Sequence, residues 1–449
     1  MHPLYLIFGL LIETLFLFYK FYPKTPAQAV ILYTIVWAAV FILTAIAFGL
    51  SKKQPFSRSF ALTVILFSLL FGLTLMTTPP DQSDDIYRYI WDGKIQANHI
   101  NPYTYAPNDP VLAPYHSEVL PERVNFPTLK TIYPPMAQVF FLLSYTLFGE
   151  SLTGMKFLFL LTACGSMTIF YLLLQRFSGS PRWFLFFAWN PLVIMETAIN
   201  GHLDILMVFF VLLSLWLFDD RRFVLSGMAA ACAVMTKLIP VILLPILFFY
   251  LIKNPGYGPR DRITRITHPL YRFVIPLLLT GLGFYALYFS SATNLLNVVL
   301  NYSTRWYFNN PLFFALLFIF KTNAAAHMAA FVLFAAVYLR MLLRPFPLNK
   351  KIMVAVLAFV VLNPTIHPWY LTILTGLLCL SAHPAIALWS GTMAASYAVV
   401  YRYKTTGRWS DSVLWMAIEY LPLLILFIVR EWRSGRPFIG FLRQKTSNE

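Results

Sequence analysis

The sequence predicts an all-α polytopic membrane protein, and three observations carry that prediction. Of its 449 residues, 59% are hydrophobic and only 12% are charged, where a water-soluble chain carries roughly 25% charged residues. The apolar residues are gathered in runs long enough to cross a bilayer, which takes about 20 residues. The basic residues collect in alternate connections between those runs, as the positive-inside rule requires. Soluble multidomain, disordered and disulfide-scaffold classes are thereby excluded. A net charge of +16 would suggest a nucleic-acid partner for a soluble chain. In a membrane protein it reads instead as cationic cytoplasmic loops, with membrane lipids and no nucleic acid as surroundings. Cys164, Cys232 and Cys379 fall inside apolar runs and read as packing residues, with no zinc or disulfide framework.

Taken in order, apolar runs bounded by charge, Pro or Gly predict about 14 spans, at 3–19, 29–50, 60–78, 153–175, 182–197, 202–218, 222–236, 238–252, 271–290, 324–343, 350–363, 368–382, 385–401 and 412–430. The first run lacks a positive n-region and a small-residue cleavage site, and so reads as a retained helix. With the N-terminus inside, 21 of the 34 Lys and Arg residues lie in short cytoplasmic connections or the basic tail, and both termini face the cytoplasm. The apolar stretches 136–149 and 309–321 are too short for this scheme and read as interfacial or re-entrant helices on the outer face. The chain therefore divides into three helices over 1–78, a long extracytoplasmic loop over 79–151, a helical bundle over 152–430 and a basic tail over 431–449.

The loop is anomalous. It holds eight of the 18 acidic residues and has net charge −4, so the rest of the chain carries +20. A connection this long is uncommon without a function or structure of its own. Asp84 and Asp85, followed by IYRYIWDGKIQAN, predict a helix with acids in its first turn, where they suit the positive end of the dipole. Pro102, Pro107, Pro110 and Pro114 then enforce irregular chain. As a solvated loop, Asp84 or Asp85 would merely cap this helix. As a site, a carboxylate pair stands just outside a span and beside an amphipathic helix.

The run from Ser83 to Gly93 (SDDIYRYIWDG), the later INPY ending at Tyr103, and Tyr133-Pro134-Pro135 resemble the first outer loop of GT-C fold glycosyltransferases, particularly the prokaryotic mannosyltransferase-like members near glycosyltransferase family 87. Asn190-Pro191, the segment from Glu196 to Asp204, Lys237 to Pro240, and His367-Pro368-Trp369-Tyr370 agree in the same order. The resemblance covers about residues 80–382. It implies a GT-C-like bundle, a polyprenyl-phosphate-linked sugar as donor and a catalytic Asp at the start of the first outer loop. In many relatives that loop follows the first span. Here three spans precede it, so the first two helices read as an accessory addition.

Glycosyl transfer from a lipid phosphate needs a base near the acceptor hydroxyl, donors for the departing phosphate and a groove for a lipid chain. Asp85 is the first choice of base and Asp84 the second. Lys237, Arg305 and His367 are the phosphate candidates, with interfacial snorkelling the plain alternative for the first two and a structural histidine for the third. Tyr87, Arg88, Trp91, Asp92, Glu196, Asn200, His202, Asp204, Trp369 and Tyr370 are candidates for sugar or acceptor binding or for support of the loop. Glu196 and Asn200, four apart, share a face if the helix continues. They could equally form a helix-to-helix hydrogen-bond network. His202 and Asp204 are spaced to bind metal, yet an inverting transfer with cationic phosphate anchors needs none, so no cofactor is expected. The expected activity is inverting transfer of a mannose-like sugar to a lipid- or glycan-linked acceptor outside the cytoplasm, at the plasma membrane. The alternatives are a transporter or lipid flippase, for which no internal repeat is found, and a polymerase or ligase using a pyrophosphate-linked oligosaccharide.

Overall fold

A computed structural model describes residues 3–177, 179–254, 262–288 and 306–434. These residues are helical with irregular connections, and β-type pairing among them is limited to one isolated bridge between Phe308 and Thr365. Three long apolar helices come first, α1 (Pro3–Phe21), α2 (Pro26–Leu50) and α3 (Arg58–Leu75). Thr25 caps α2 with a reciprocal bond to Gln28, and Ser57 caps α3. The long loop contains α4 (Asp85–Ala97) and ends in α5 (Pro135–Phe148). Both sequence-predicted loop helices are present, and Pro134 and Pro135 set the start of the second. At about 1.5 Å per residue α5 is roughly 21 Å long, too short to cross a hydrocarbon core of about 30 Å.

The bundle continues with α6 (Leu152–Arg176), α7 (Arg182–Ala188), α8 (Pro191–Met195), α9 (Asp204–Asp219), α10 (Phe223–Thr236), α11 (Leu243–Lys253) and α12 (Arg262–Ala286). After these come α13 (Pro311–Phe320), α14 (Asn323–Leu343), α15 (Leu348–Leu362), α16 (Thr372–Gly376), α17 (Pro384–Thr392), α18 (Ala398–Thr406) and α19 (Val413–Ser434). Six described helices, α1, α2, α3, α6, α14 and the Thr267–Ala286 part of α12, are long and apolar enough to cross a membrane. The expected count of 14 is not reproduced by that criterion, because several apolar runs fold as shorter or interrupted helices. Residues 182–197 break at Asn190, whose side chain caps Leu192 N at 3.0 Å, and at Pro191. A wide π turn over Glu196–Asn200 follows. Residues 368–382 form 3₁₀ turns around the five-residue α16, and 385–401 pass from α17 through a 3₁₀ turn into α18.

Two basic residues of the bundle, Arg176 and Arg182, mark one of its ends. Arg176 pairs with Asp219 and Asp220 at 2.8 Å each, and the Arg182 guanidinium lies 4.6 Å from the Phe48 ring, so the ends of α2, α6 and α9 and the start of α7 meet there. The long loop, the π turn, the start of α9 and the end of α10 converge at the opposite end. That second end carries the cavity described below.

Close helix contacts depend on glycine at specific places. A Cβ on Gly227 of α10 would sit 2.2 Å from the Phe273 carbonyl oxygen of α12, a backbone atom that cannot rotate away. Gly227→Ala is therefore expected to lower stability by about 1–3 kcal/mol, read as a fall in thermal midpoint in detergent. Gly283→Ala, where no atom lies within 4 Å of the new Cβ, serves as the matched control and is expected to hold or raise the midpoint.

Candidate functional site

The first turn of α4 opens onto a cavity of about 1200 Å³. Asp84, Asp85, Tyr87, Arg88 and Tyr89 line it from the loop, Asp204 and Lys237 from α9 and α10, and His367, Trp369 and Tyr370 from the segment preceding α16. Asp85 begins α4 and is held from two sides. Its Oδ1 accepts from Asn125 Nδ2 at 2.5 Å, and its Oδ2 faces His202 Nε2 at 3.9 Å. Asp84 precedes the helix, but its side chain makes no capping bond, so the plain cap reading fails for it. It lies open to the cavity, where the enclosing protein walls push its carboxyl pKa up. Lys404 opposes that rise, Asp85 adds to it and Arg123 also opposes it.

Behind this face stands a buried polar network. The π turn carries Glu196, whose Oε1 accepts from Tyr33 OH at 3.0 Å and from Tyr397 OH. Its Oε2 accepts from Asn200 Nδ2 at 3.0 Å and faces His202 Nδ1 at 2.8 Å. Glu196 and Asn200 therefore do meet four residues apart, on a π turn rather than an α-helix. Gly201 ends this turn in the left-handed region at φ 70°, and a Cβ there would sit 2.5 Å from Ile86 Cδ1 of α4. Only glycine meets both demands. Its lack of a side chain brings the π turn against the helix that begins with Asp85. Asn200 Oδ1 also accepts from Gln82 N at 3.2 Å, tying the turn to the loop's approach.

The remaining candidates divide by position. Lys237 follows the last turn of α10 in extended conformation, pairs with Asp204 Oδ1 at 2.7 Å and lies 4.5 Å from the centre of the Tyr370 ring. His367 and Trp369 stack with ring centres 4.4 Å apart, and Trp369 stacks on His202 at 3.9 Å. Burial, then Lys237 and His202, push His367 down to about 3, so it is a neutral imidazole at pH 7. Asp92 faces away from the cavity. It pairs with Arg88 Nε at 2.8 Å and accepts from Thr131 Oγ1 at 2.6 Å and Gln138 Nε2 at 2.9 Å, fastening α4 to the chain ahead of α5 and to α5 itself. Trp91 is buried edge-on to His116, 5.8 Å away, and does not line the cavity. Arg305 lies outside the described residues.

Several cavity residues carried no sequence expectation. Asn125 holds Asp85, and Gln82 lines the wall. The end of α1, the turn after it and the start of α2 contribute Lys20, Phe21, Tyr22, Lys24 and Pro26 to the lining, while Tyr403, Lys404 and Trp409 close it from the C-terminal side. The first two helices are thus part of the cavity wall rather than an appendage. Asp81 accepts from Tyr19 OH, and its carbonyl accepts from Lys404 Nζ. Glu419, a lone acid in an apolar run, accepts from Asn309 Nδ2 at 3.0 Å and Trp389 Nε1 at 2.8 Å and anchors the segment after residue 305. A single acid in such a run was its signal.

The lining is not chemically complete by itself. Buried polar atoms are nearly always hydrogen-bonded. Yet Thr78 Oγ1, both amide atoms of Gln82, Arg88 Nη2 and Asp204 Oδ2 have no partner, and all four residues line the cavity. Such a cluster fits a polar ligand rich in hydroxyl and phosphate oxygens. Among the described residues, no three His, Cys, Asp or Glu side chains are grouped to hold a metal ion.

Comparisons with known proteins place the chain. Residues 13–253, more than half of it, match the family model described as "Alpha-(1->6)-mannopyranosyltransferase, N-terminal domain". Among solved structures, the chain is similar to the apo form of the oligosaccharyltransferase of Archaeoglobus fulgidus, with 14% identity and a TM-score of 0.38. That alignment covers 86% of this chain and 57% of the other, so the chain spans a little over half the length of that protein. No curated protein matches.

The Arg88–Asp92 pair offers a direct check on how the first helix of the loop is held. Both side chains are buried, so Asp92→Ala strands a guanidinium and is expected to cost about 3–5 kcal/mol. Chemical unfolding in detergent reads that loss. Thr131→Val, which removes one bond and no charge, is expected to cost about 1 kcal/mol.

Proposed function

The chain belongs to the alpha-(1->6)-mannopyranosyltransferase family, and from that premise we propose that it is an inverting, integral-membrane glycosyltransferase. It moves a mannose-like sugar from a polyprenyl-phosphate donor to a lipid- or glycan-linked acceptor on the extracytoplasmic side of the plasma membrane. The observation that carries this reading is Asp85. It is a helix-initiating carboxylate held by Asn125 and open to a cavity of about 1200 Å³ whose lining includes Thr78, Gln82, Arg88 and Asp204. Pockets for one small ligand run from about 300 to 1,000 Å³, and a transferase must hold donor and acceptor together.

In this reading the acceptor hydroxyl approaches Asp85, which takes its proton as the oxygen attacks the anomeric carbon. The bond from that carbon to the phosphate breaks, and its electron pair leaves with the phosphate. Lys237 is the phosphate anchor. Its ammonium has three donors, one of them engaged by Asp204, and Lys237 lines the cavity beside Tyr370. His367 offers a hydrogen bond rather than a charge, because it is neutral. Phe21, Tyr22 and Pro26 form an apolar lip between the first two helices, suited to the lipid chain. The reading invokes no metal or other cofactor. The sequence distribution of Lys and Arg among the short connections, with Arg176 and Arg182 at the end opposite the cavity, supports an outer assignment for the cavity.

Asp85→Asn keeps the shape and removes the base, and is expected to lower transfer from a labelled polyprenyl-phospho-mannose by roughly 10²–10⁴-fold. Asp84→Asn is expected to keep most activity, since nothing orients that carboxylate. Full activity of Asp85→Asn would sink the assignment.

A further inference from the structure

We propose that His202 and Glu196 form a proton-holding dyad behind Asp85, with His202 the positioning residue through which the base works. The proposal rests on the glycosyltransferase reading and on Asp85 as its base.

Three features of His202 are unaccounted for by packing alone. It is 1% exposed, yet its Nε2 has no hydrogen-bond partner and points at Asp85 Oδ2 from 3.9 Å. Its Nδ1 lies 2.8 Å from Glu196 Oε2. Glu196 accepts three other hydrogen bonds, from Tyr33, Tyr397 and Asn200, and a carboxylate engaged in this way is acceptor-only. The bond between Glu196 and Nδ1 is therefore donated by the histidine, and Nε2 is the ring nitrogen facing the base; in the proposed cycle this nitrogen starts with its lone pair free. Trp369 stacks on the imidazole at 3.9 Å and separates it from the cavity, whose lining includes Trp369 and not His202.

Once Asp85 Oδ2 holds the acceptor's proton it becomes a donor, and a closing of about 1 Å from 3.9 Å brings it within hydrogen-bond distance of Nε2. The step then balances. The acceptor O–H breaks, its oxygen bonds to the anomeric carbon, and the phosphate leaves with the electron pair of the old bond. The proton passes to Asp85 Oδ2 and onward to His202 Nε2. The resulting imidazolium lies between Glu196 and the restored Asp85 carboxylate. After product departs, the proton returns through Asp85 to water in the cavity. The dyad keeps Asp85 anionic while the new bond forms. Removing it leaves substrate binding intact and slows the chemical step.

The other charged or titratable groups facing this pair come from every neighbouring element. Asp84 adjoins on the loop, Asp204 and Lys237 form their own ion pair on α9 and α10, His367 stands beyond Trp369, and Tyr89 and Tyr133 lie beside Asp85. None of them is within hydrogen-bond distance of Nε2.

The test compares His202→Gln and Glu196→Gln with the unsubstituted protein, using labelled polyprenyl-phospho-mannose and a mannosyl-lipid acceptor across a pH series. His202→Gln is expected to lower kcat roughly tenfold to a hundredfold, within the range for acid–base groups, with the donor KM unchanged. The acid limb of the kcat profile is expected to move to lower pH, because the ring whose protonation blocks the relay is gone. Glu196→Gln is expected to lower kcat with KM unchanged. Unchanged kcat in His202→Gln, or a loss of the same size at every pH, overturns the proposal. The two readings fail separately. If Asp85→Asn is inactive while His202→Gln behaves as unsubstituted, the dyad falls and the transferase reading stands.

Should this donor give no turnover, the dyad is read without activity. In protein labelled with 13C-histidine, the His202 resonance is identified by its loss in His202→Gln and titrated in the unsubstituted protein and in Asp85→Asn. Its midpoint is expected to fall in Asp85→Asn, which removes an anion facing the ring. An unmoved midpoint overturns the proposal.

Discussion

The rest of the structure depends on one buried carboxylate. Glu196 is 2% exposed, and burying a carboxylate is tolerable only where several donors replace its water. Those donors come from distant parts of the chain. Tyr33 lies 163 residues away and Tyr397 lies 201 residues away, while Asn200 and His202 come from the same turn. Satisfying one side chain therefore fixes the second helix, the break between α8 and α9, and the 3₁₀ turn before α18 relative to one another. The π turn is the local cost of this arrangement, since it projects Glu196 and Asn200 toward a common centre. Gly201 then allows the chain to reverse against the helix that begins with Asp85.

A second consequence concerns the first two helices. Hydropathy identifies them as spans but assigns them no task, and family resemblance begins its loop after fewer helices. Their task comes from polar side chains at their ends. Tyr33 of α2 bonds Glu196, Tyr19 of α1 bonds Asp81, and the turn between the helices lines the cavity. Lys404 reaches the Asp81 carbonyl from the opposite end of the chain. The cavity is closed only when the N-terminal helices and α18 are both in place.

This pattern explains what the sequence made legible. Long apolar helices, the helix starting at Asp85 and the short helix at Pro135 were readable, because hydropathy, first-turn acids and proline act within a few residues. Asp85, Lys237, His367, Trp369 and Tyr370, each singled out in the sequence by its motif, line one cavity. The broken runs were less legible. A hydropathy window averages across Asn190 and Pro191, and the bonds that make a break affordable there arrive from far away in sequence. Asn125 and Gln82 were invisible for the same reason, since a polar residue in a polar loop carries no mark until a partner is known. Asp92 shows the converse, because its prominence in a motif reflects its grip on Arg88, Thr131 and Gln138 rather than contact with the cavity.

The division of labour along the chain follows from these contacts. The part matched by the family, residues 13–253, contains Asp85, Asn125, Glu196, His202, Asp204 and Lys237, which build the cavity around the start of α4 and its support. Trp306, Tyr403, Lys404 and Trp409 line it from outside that part, and their role is to set its outline. Lys404 reaches the Asp81 carbonyl, and the Tyr403 and Trp409 rings pack edge-on. Tyr397 and Trp369 are the exceptions in the second half. One donates to Glu196 and the other stacks on His202, so the wall that shapes the cavity and the network behind Asp85 meet at these two aromatic rings.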